Sequence, residues 1–242
     1  MFNFPRAFSA LGVLLLSAGV EAIQIDSMLR VTDEQGKTTF TITNDEEKRL
    51  FMTVMMSELT VSEGQIQKVP YNRENLKDWK LDVYPTKTVI DPDFKKDFSV
   101  VMRCGDQCDN TRDQAFQLAF VPTPYFDGDQ PPQHSIQMAI GFGAVVILPG
   151  EEKPLNYRAH YTDSTIQFNN YGDSFINVTL SSCAKTTPTN QRAACTKKVT
   201  LLAGRQLSVS LPEKMQVPTL DMQVKTYTAQ FKETIQLTRQ EP

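Results

Sequence analysis

An all-β fold made of two sandwich domains is predicted by three observations. Short apolar runs with two-residue alternation recur along most of the chain. Clusters of Gly, Pro, Asn and Asp separate them at intervals typical of short strands. No sustained helical period interrupts them. At 242 residues with 40% hydrophobic content, the chain has the material for one large core or two ordinary ones. The stretch from 134 to 149, HSIQMAIGFGAVVILP, stands out. Ile136, Met138, Ile140 and Phe142 fall on one face, and Gln137, Ala139, Gly141 and Gly143 on the other. From Ala144 to Leu148 the run is apolar throughout, which predicts burial on both faces.

The chain begins with Arg6, an apolar stretch from Ala7 to Val20 and a Val20-Glu21-Ala22 cut site, the pattern of a cleaved secretory signal peptide over residues 1–22. The mature chain is therefore expected to start near Ile23 and to be exported. Ile23 to Val31 reads as a first strand and KTTFTITN, Lys37 to Asn44, as a second. Leu50 to Leu59 is a third, with apolar residues on both faces. Ser62 to Lys80 is polar and reads as a long loop holding the sole tryptophan, Trp79. Strands follow at Leu81 to Ile90, around Pro85, at Asp97 to Arg103 and at Ala115 to Val121. Pro122, Pro124, Gly128, Pro131 and Pro132 then break the chain before the 134–149 stretch.

Glu151 to Pro154 is a polar, proline-bearing linker, so the domains are expected at 23–149 and 150–242. The second domain offers strands at Tyr157 to His160, Ser164 to Phe168, Ser174 to Leu180, Lys198 to Leu202 and Gln206 to Leu211. Leu220 to Arg239 reads as two more.

Export gives the four cysteines a meaning. They form two close pairs, Cys104 with Cys108 and Cys183 with Cys195, and an oxidising compartment favours disulfides. Four cysteines allow three pairings; local pairing is the economical one. A Cys183–Cys195 bridge is worth about 3 kcal/mol through loop entropy. Zinc is disfavoured, because neither histidine lies near either pair. His134 and His160 are isolated, and nucleophile elbows, phosphate loops and metalloprotease motifs are missing, so the residues indicate no catalytic site, no metal, no cofactor and no small-molecule substrate. A net charge of −3 without a basic run argues against nucleic acid.

The order of these segments resembles that of the periplasmic chaperones of the chaperone–usher pilus pathway. KTTFTITND is similar to that family's second strand, LDVYPTKTVIDPDFKKDFSVVMR to its extended-strand segment ending in Arg, and AFQLAFVPTP to its sixth strand. SIQMAIGFGAVVILP resembles the seventh strand, which ends in Pro at the domain hinge, and INVTLSSCAKTTPTNQRAAC the second-domain cysteine loop of some branches. The resemblance implies two immunoglobulin-like domains arranged in an L or boomerang, a periplasmic location and no enzymatic activity. It implies as partners pilus subunits and an outer-membrane usher. Ile136, Met138, Ile140 and Phe142 would be the side chains lent to an incomplete subunit by donor-strand complementation. Arg30 would be the counterpart of the first-strand arginine that anchors a subunit carboxylate. The chain departs from the family in having no base between Ala144 and Val146, where a lysine usually stands, and in its Cys104–Cys108 pair. The competing expectation is an exported structural or adhesive β-sandwich protein, in which the 134–149 strand is only core.

Overall fold

The computed structural model describes residues 23–103, 108–125 and 140–240. Residues 23–148 build two sheets. One has strand order β1-β3-β8-β6, from Ile23–Ile25, Lys37–Asn44, Lys95–Met102 and Leu81–Tyr84. The other has order β2-β10-β9-β4-β5, from Leu29–Val31, Phe142–Leu148, Gln114–Pro124, Leu50–Ser62 and Gln65–Pro70, with β7, Lys87–Ile90, also paired to β4. Their inner faces enclose one core. Phe40 and Ile42 of β3, and Phe98 and Val100 of β8, meet Met52 of β4, Phe116, Leu118 and Phe120 of β9, and Ala144 and Val146 of β10. Phe120 sits at the centre, with ring centroids 5.7 Å from Phe40 and 5.1 Å from Phe98.

Residues 157–238 form a second sandwich. Its sheets are β11-β12-β15, from Tyr157–Thr162, Thr165–Asn170 and Gln206–Ser210, and β14-β13-β16-β17, from Thr196–Leu201, Ile176–Ser181, Thr219–Lys225 and Lys232–Thr238. Tyr161, Phe168, Leu180, Met222 and Val224 lie in its core, and the Tyr161 hydroxyl donates to the Val217 carbonyl at 3.0 Å. Among the described residues helical structure is confined to short 3-10 segments at Arg73–Asp78, Thr189–Cys195 and Glu213–Met215. The all-β, two-sandwich prediction holds. Among them, too, no helix is long and apolar enough to cross a membrane.

Four elements differ from the sequence reading. Strand β9 runs on to Pro124, so Pro122 and Pro124, expected to break the chain, lie inside a strand, opposite Met52 and Leu50 of β4. The first strand is two: a bend at Asp26-Ser27 moves the chain from the sheet of β1 to the sheet of β2. The segment around Pro85 likewise splits into β6 and β7, which lie in different sheets. The expected loop from Ser62 to Lys80 instead holds strand β5 and a 3-10 turn. Glu63 and Gly64, at φ 52° and 74°, form a tight turn that folds β5 back on β4. Every residue of β5 is exposed, so this strand has no buried face and leaves no alternation to read. The 3-10 turn is closed by an Asn72–Asn75 capping box, and Trp79 stacks on Tyr71 at 5.3 Å over the core edge.

Cys183 and Cys195 are joined, with Cα atoms 5.2 Å apart. Cys108 is also disulfide-bonded; its expected partner, Cys104, lies outside the described residues. The proposed leader, residues 1–22, lies outside them too.

Candidate functional site

The strand singled out by the sequence enters the structure at Ile140. Ile136 and Met138, like His134, lie outside the described residues. Ile140 is 73% exposed, just ahead of β10. Phe142 opens β10 half-buried, packing on the N-terminal core. Period-two geometry puts Phe142, Ala144 and Val146 on the inner face, so the alternating face of the stretch runs directly into the core. In the second half Ala144 and Val146 are buried on one face and Ile147 on the other, while Val145 is half-buried. Ile147 points the other way and is fully buried beside Leu59, Ala115, Leu202 and Ala203, where the two sandwiches meet.

β10 pairs antiparallel with β9 along its whole length, from Phe142 opposite Phe120 to Leu148 opposite Gln114. On its other side β2 runs parallel and pairs only with Val145 to Ile147. Among the described residues, the beginning of β10 therefore has a strand partner on one side only. An edge of this kind, headed by an exposed isoleucine, can accept or donate a strand.

Arg30 lies opposite Val146 on β2. Its Nη2 donates to the Asp26 carboxylate at 2.6 Å, and its buried Nε has no hydrogen-bond partner among the described residues. Ala144 to Val146 supply no second base beside it.

The hinge after β10 is held by a residue that the sequence reading did not single out. The Asp113 carboxylate accepts the Gly150 N–H at 2.8 Å and the Phe175 N–H at 2.6 Å, while its own N–H donates to the Asp173 carbonyl at 2.9 Å. One side chain thus ties the start of β9 to the linker and to the second sandwich. Burial pushes its carboxyl above the ordinary aspartate range and the negative charge of Glu152 adds to this; the two amides and Arg112 pull the other way. Gly150 is required here, because a Cβ would lie 2.8 Å from the backbone of Asn110 and Arg112. Glu152 is tied down by Thr226 and Thr228. Burial pushes the Glu152 carboxyl up, but the hydrogen bonds from Thr226 and Thr228 outweigh it and leave it below the ordinary range. A second fastening joins the β4–β5 turn to the second sandwich. The Gly64 carbonyl accepts from the Gln206 N–H at 2.9 Å and from Arg205 Nη1 at 2.8 Å. Lone turn and loop residues such as these carry no pattern; only the glycines were a signal.

His160 lies on an exposed outer face, paired across the sheet with Gln167. Among the described residues no group of three or more His, Cys, Asp or Glu could hold a metal.

The two-sandwich fold is shared with solved structures of pilus chaperones. The chain is similar to a chain of the complex between the Salmonella enterica SafA pilin and the SafB chaperone, at 10% identity and TM-score 0.55, covering 92% of this chain and 98% of that one. It is similar in fold to a chain of the CsuC–CsuE chaperone–tip subunit pre-assembly complex of Acinetobacter baumannii, at 9% identity and TM-score 0.54, covering 91% and 100%. The E. coli chaperone DraB matches at 14% identity and TM-score 0.53, covering 92% and 97%. Residues 25–149, more than half of the chain, match the CS5 fimbrial protein N-terminal domain, and the chain belongs to that family. No curated protein matches it.

Proposed function

We propose that this protein is a periplasmic, non-enzymatic chaperone for pilus subunits, exported by a leader over residues 1–22 and working as two domains, 23–149 and 150–242. It lends a subunit the segment leading into β10 and passes the subunit to an outer-membrane usher. Ile136, Met138 and Ile140 carry the donated side chains, and Phe142 marks where the donor face enters the chaperone's own core. Arg30 receives the subunit's terminal carboxylate. The observation that carries this reading is the one-sided pairing at the start of β10 beside the exposed Ile140. The chaperone–subunit complexes among its structural relatives support it.

The test is a pull-down of the tagged mature chain from the periplasm of its native host, with Ile140→Asp alongside. Because Ile140 is exposed, the variant is expected to fold normally and to lose a one-to-one complex with a small pilin-like protein. A second reading, a structural or adhesive fimbrial component, is favoured by the matched family's description as a fimbrial protein. It predicts recovery of the chain alone or in polymers of itself, and that outcome would displace the chaperone reading.

A further inference from the structure

The arginine assigned above as carboxylate anchor is already engaged. In the free chain Arg30 Nη2 is held by Asp26, four residues earlier, with the two side chains 39% and 31% exposed. Asp26 is fixed where the chain crosses between sheets: its N–H donates to the Thr41 carbonyl at 3.1 Å, and Ser27 closes the bend onto Leu29. The contact leaves much of the guanidinium unused. A guanidinium presents five donors in a rigid fork, and a carboxylate docking squarely fills two of them. Here the buried Nε has no partner among the described residues.

A second buried group waits on the same strand. Thr32 is 5% exposed, and its hydroxyl also lacks a hydrogen-bond partner among the described residues. Its N–H continues the ladder to the Ile147 carbonyl at 2.9 Å, so Thr32 lies on the same face as Arg30, two residues along. Buried polar groups are ordinarily paired, and two unpaired ones two residues apart on one strand give an incoming chain groups to complete. Asp33, Glu34 and Glu152 line the cleft that Thr32 borders and disfavour an anion there, which leaves Arg30 as the group for an incoming carboxylate.

We infer that Asp26 is a resident stand-in for the subunit's carboxylate. It occupies Arg30 in the free chain and is displaced when a polypeptide end arrives, whose carboxylate takes the Nε and Nη donors together while its last segment satisfies the Thr32 hydroxyl. The inference rests on the chaperone reading and adds to it a built-in competitor. Displacing a partly exposed pair costs little, so the competition tunes affinity without blocking it.

Isothermal titration calorimetry on the mature chain tests this, with a short soluble peptide of alternating apolar and polar residues and its C-terminally amidated twin as probes. The acid form is expected to bind more tightly than the amide. Asp26→Ala should tighten the acid form about two- to five-fold, the range for an exposed ion pair, and leave the amide form unchanged. Arg30→Gln should abolish the difference between the two. Thr32→Val should weaken the acid form while raising the thermal midpoint of the free chain, since it deletes an unpaired buried hydroxyl. An acid-to-amide ratio unaltered by Asp26→Ala overturns the inference. If both forms then still bind, strand donation stands without it; if neither peptide binds any variant, both readings fail.

Discussion

Asp113→Ala is the most informative single change. It deletes the acceptor for two main-chain N–H groups, those of Gly150 and Phe175, which belong to the linker and to the second sandwich. A buried donor left unpaired costs about 1–3 kcal/mol. Asp113 lines a cleft rather than a closed core, so about 2–4 kcal/mol for the pair is the working figure. At 1.4 kcal/mol per factor of ten, locally opened hinges become about thirty- to seven-hundred-fold more populated. Hydrogen exchange at the Gly150 and Phe175 amides reads this directly, and small-angle scattering reads whether the sandwiches separate. Asp113 belongs to neither core cluster, so each sandwich should stay folded. Unchanged exchange at both amides would refute the clamp.

The same group sets a pH dependence. Burial raises the Asp113 carboxyl, so the folded chain binds more protons than the unfolded chain just above the ordinary carboxylate range. Its contribution therefore falls as pH rises through that window, and mild acidification should raise the protection of the hinge amides relative to the unfolded chain at the same pH. Glu152 acts in the opposite sense. Its carboxyl is lowered, so its contribution is present above the ordinary glutamate value and is lost as pH falls through its folded value. Asp113→Asn should abolish the gain on acidification.

The other expectations are more local. Phe120→Ala removes the ring at the centre of the N-terminal core and should cost about 3–5 kcal/mol in urea unfolding, with the C-terminal sandwich little affected. Gly64→Ala places a side chain at φ 74° and against Gln206, and should cost about 1–2 kcal/mol, seen as faster exchange in the β4–β5 hairpin. Replacing Cys183 and Cys195 by serine opens a cross-link spanning 12 residues and should lower stability by about 3 kcal/mol, measured by thermal unfolding of the second sandwich.

Strands with one buried face were legible because burial imprints a period of two. Lys37–Asn44 appears with the predicted bounds, Phe40 and Ile42 buried and their neighbours not. The doubly apolar run Ala144 to Leu148 was legible for a related reason: it is buried by its own core on one face and by the second sandwich at Ile147 on the other. Strand β5 was not legible, since an edge strand exposed on every residue is held by main-chain hydrogen bonds that any sequence can make. The split of the first strand at Asp26 escaped for a similar reason, because sheet membership is decided by which partner strand is near.

By itself the sequence determined the all-β class, the two sandwiches and the strand on which the proposed site is centred. It left three cysteine pairings open with the local one most economical, and the structure joins Cys183 to Cys195. Only the tertiary structure decided how the sandwiches are fastened and what holds Arg30. Asp113 reaches Gly150 across 37 positions and Phe175 across 62, and Arg205 reaches Gly64 across 141. Periodicity reports what each residue's own element buries, whereas these contacts join single side chains to main-chain groups brought near by the rest of the fold.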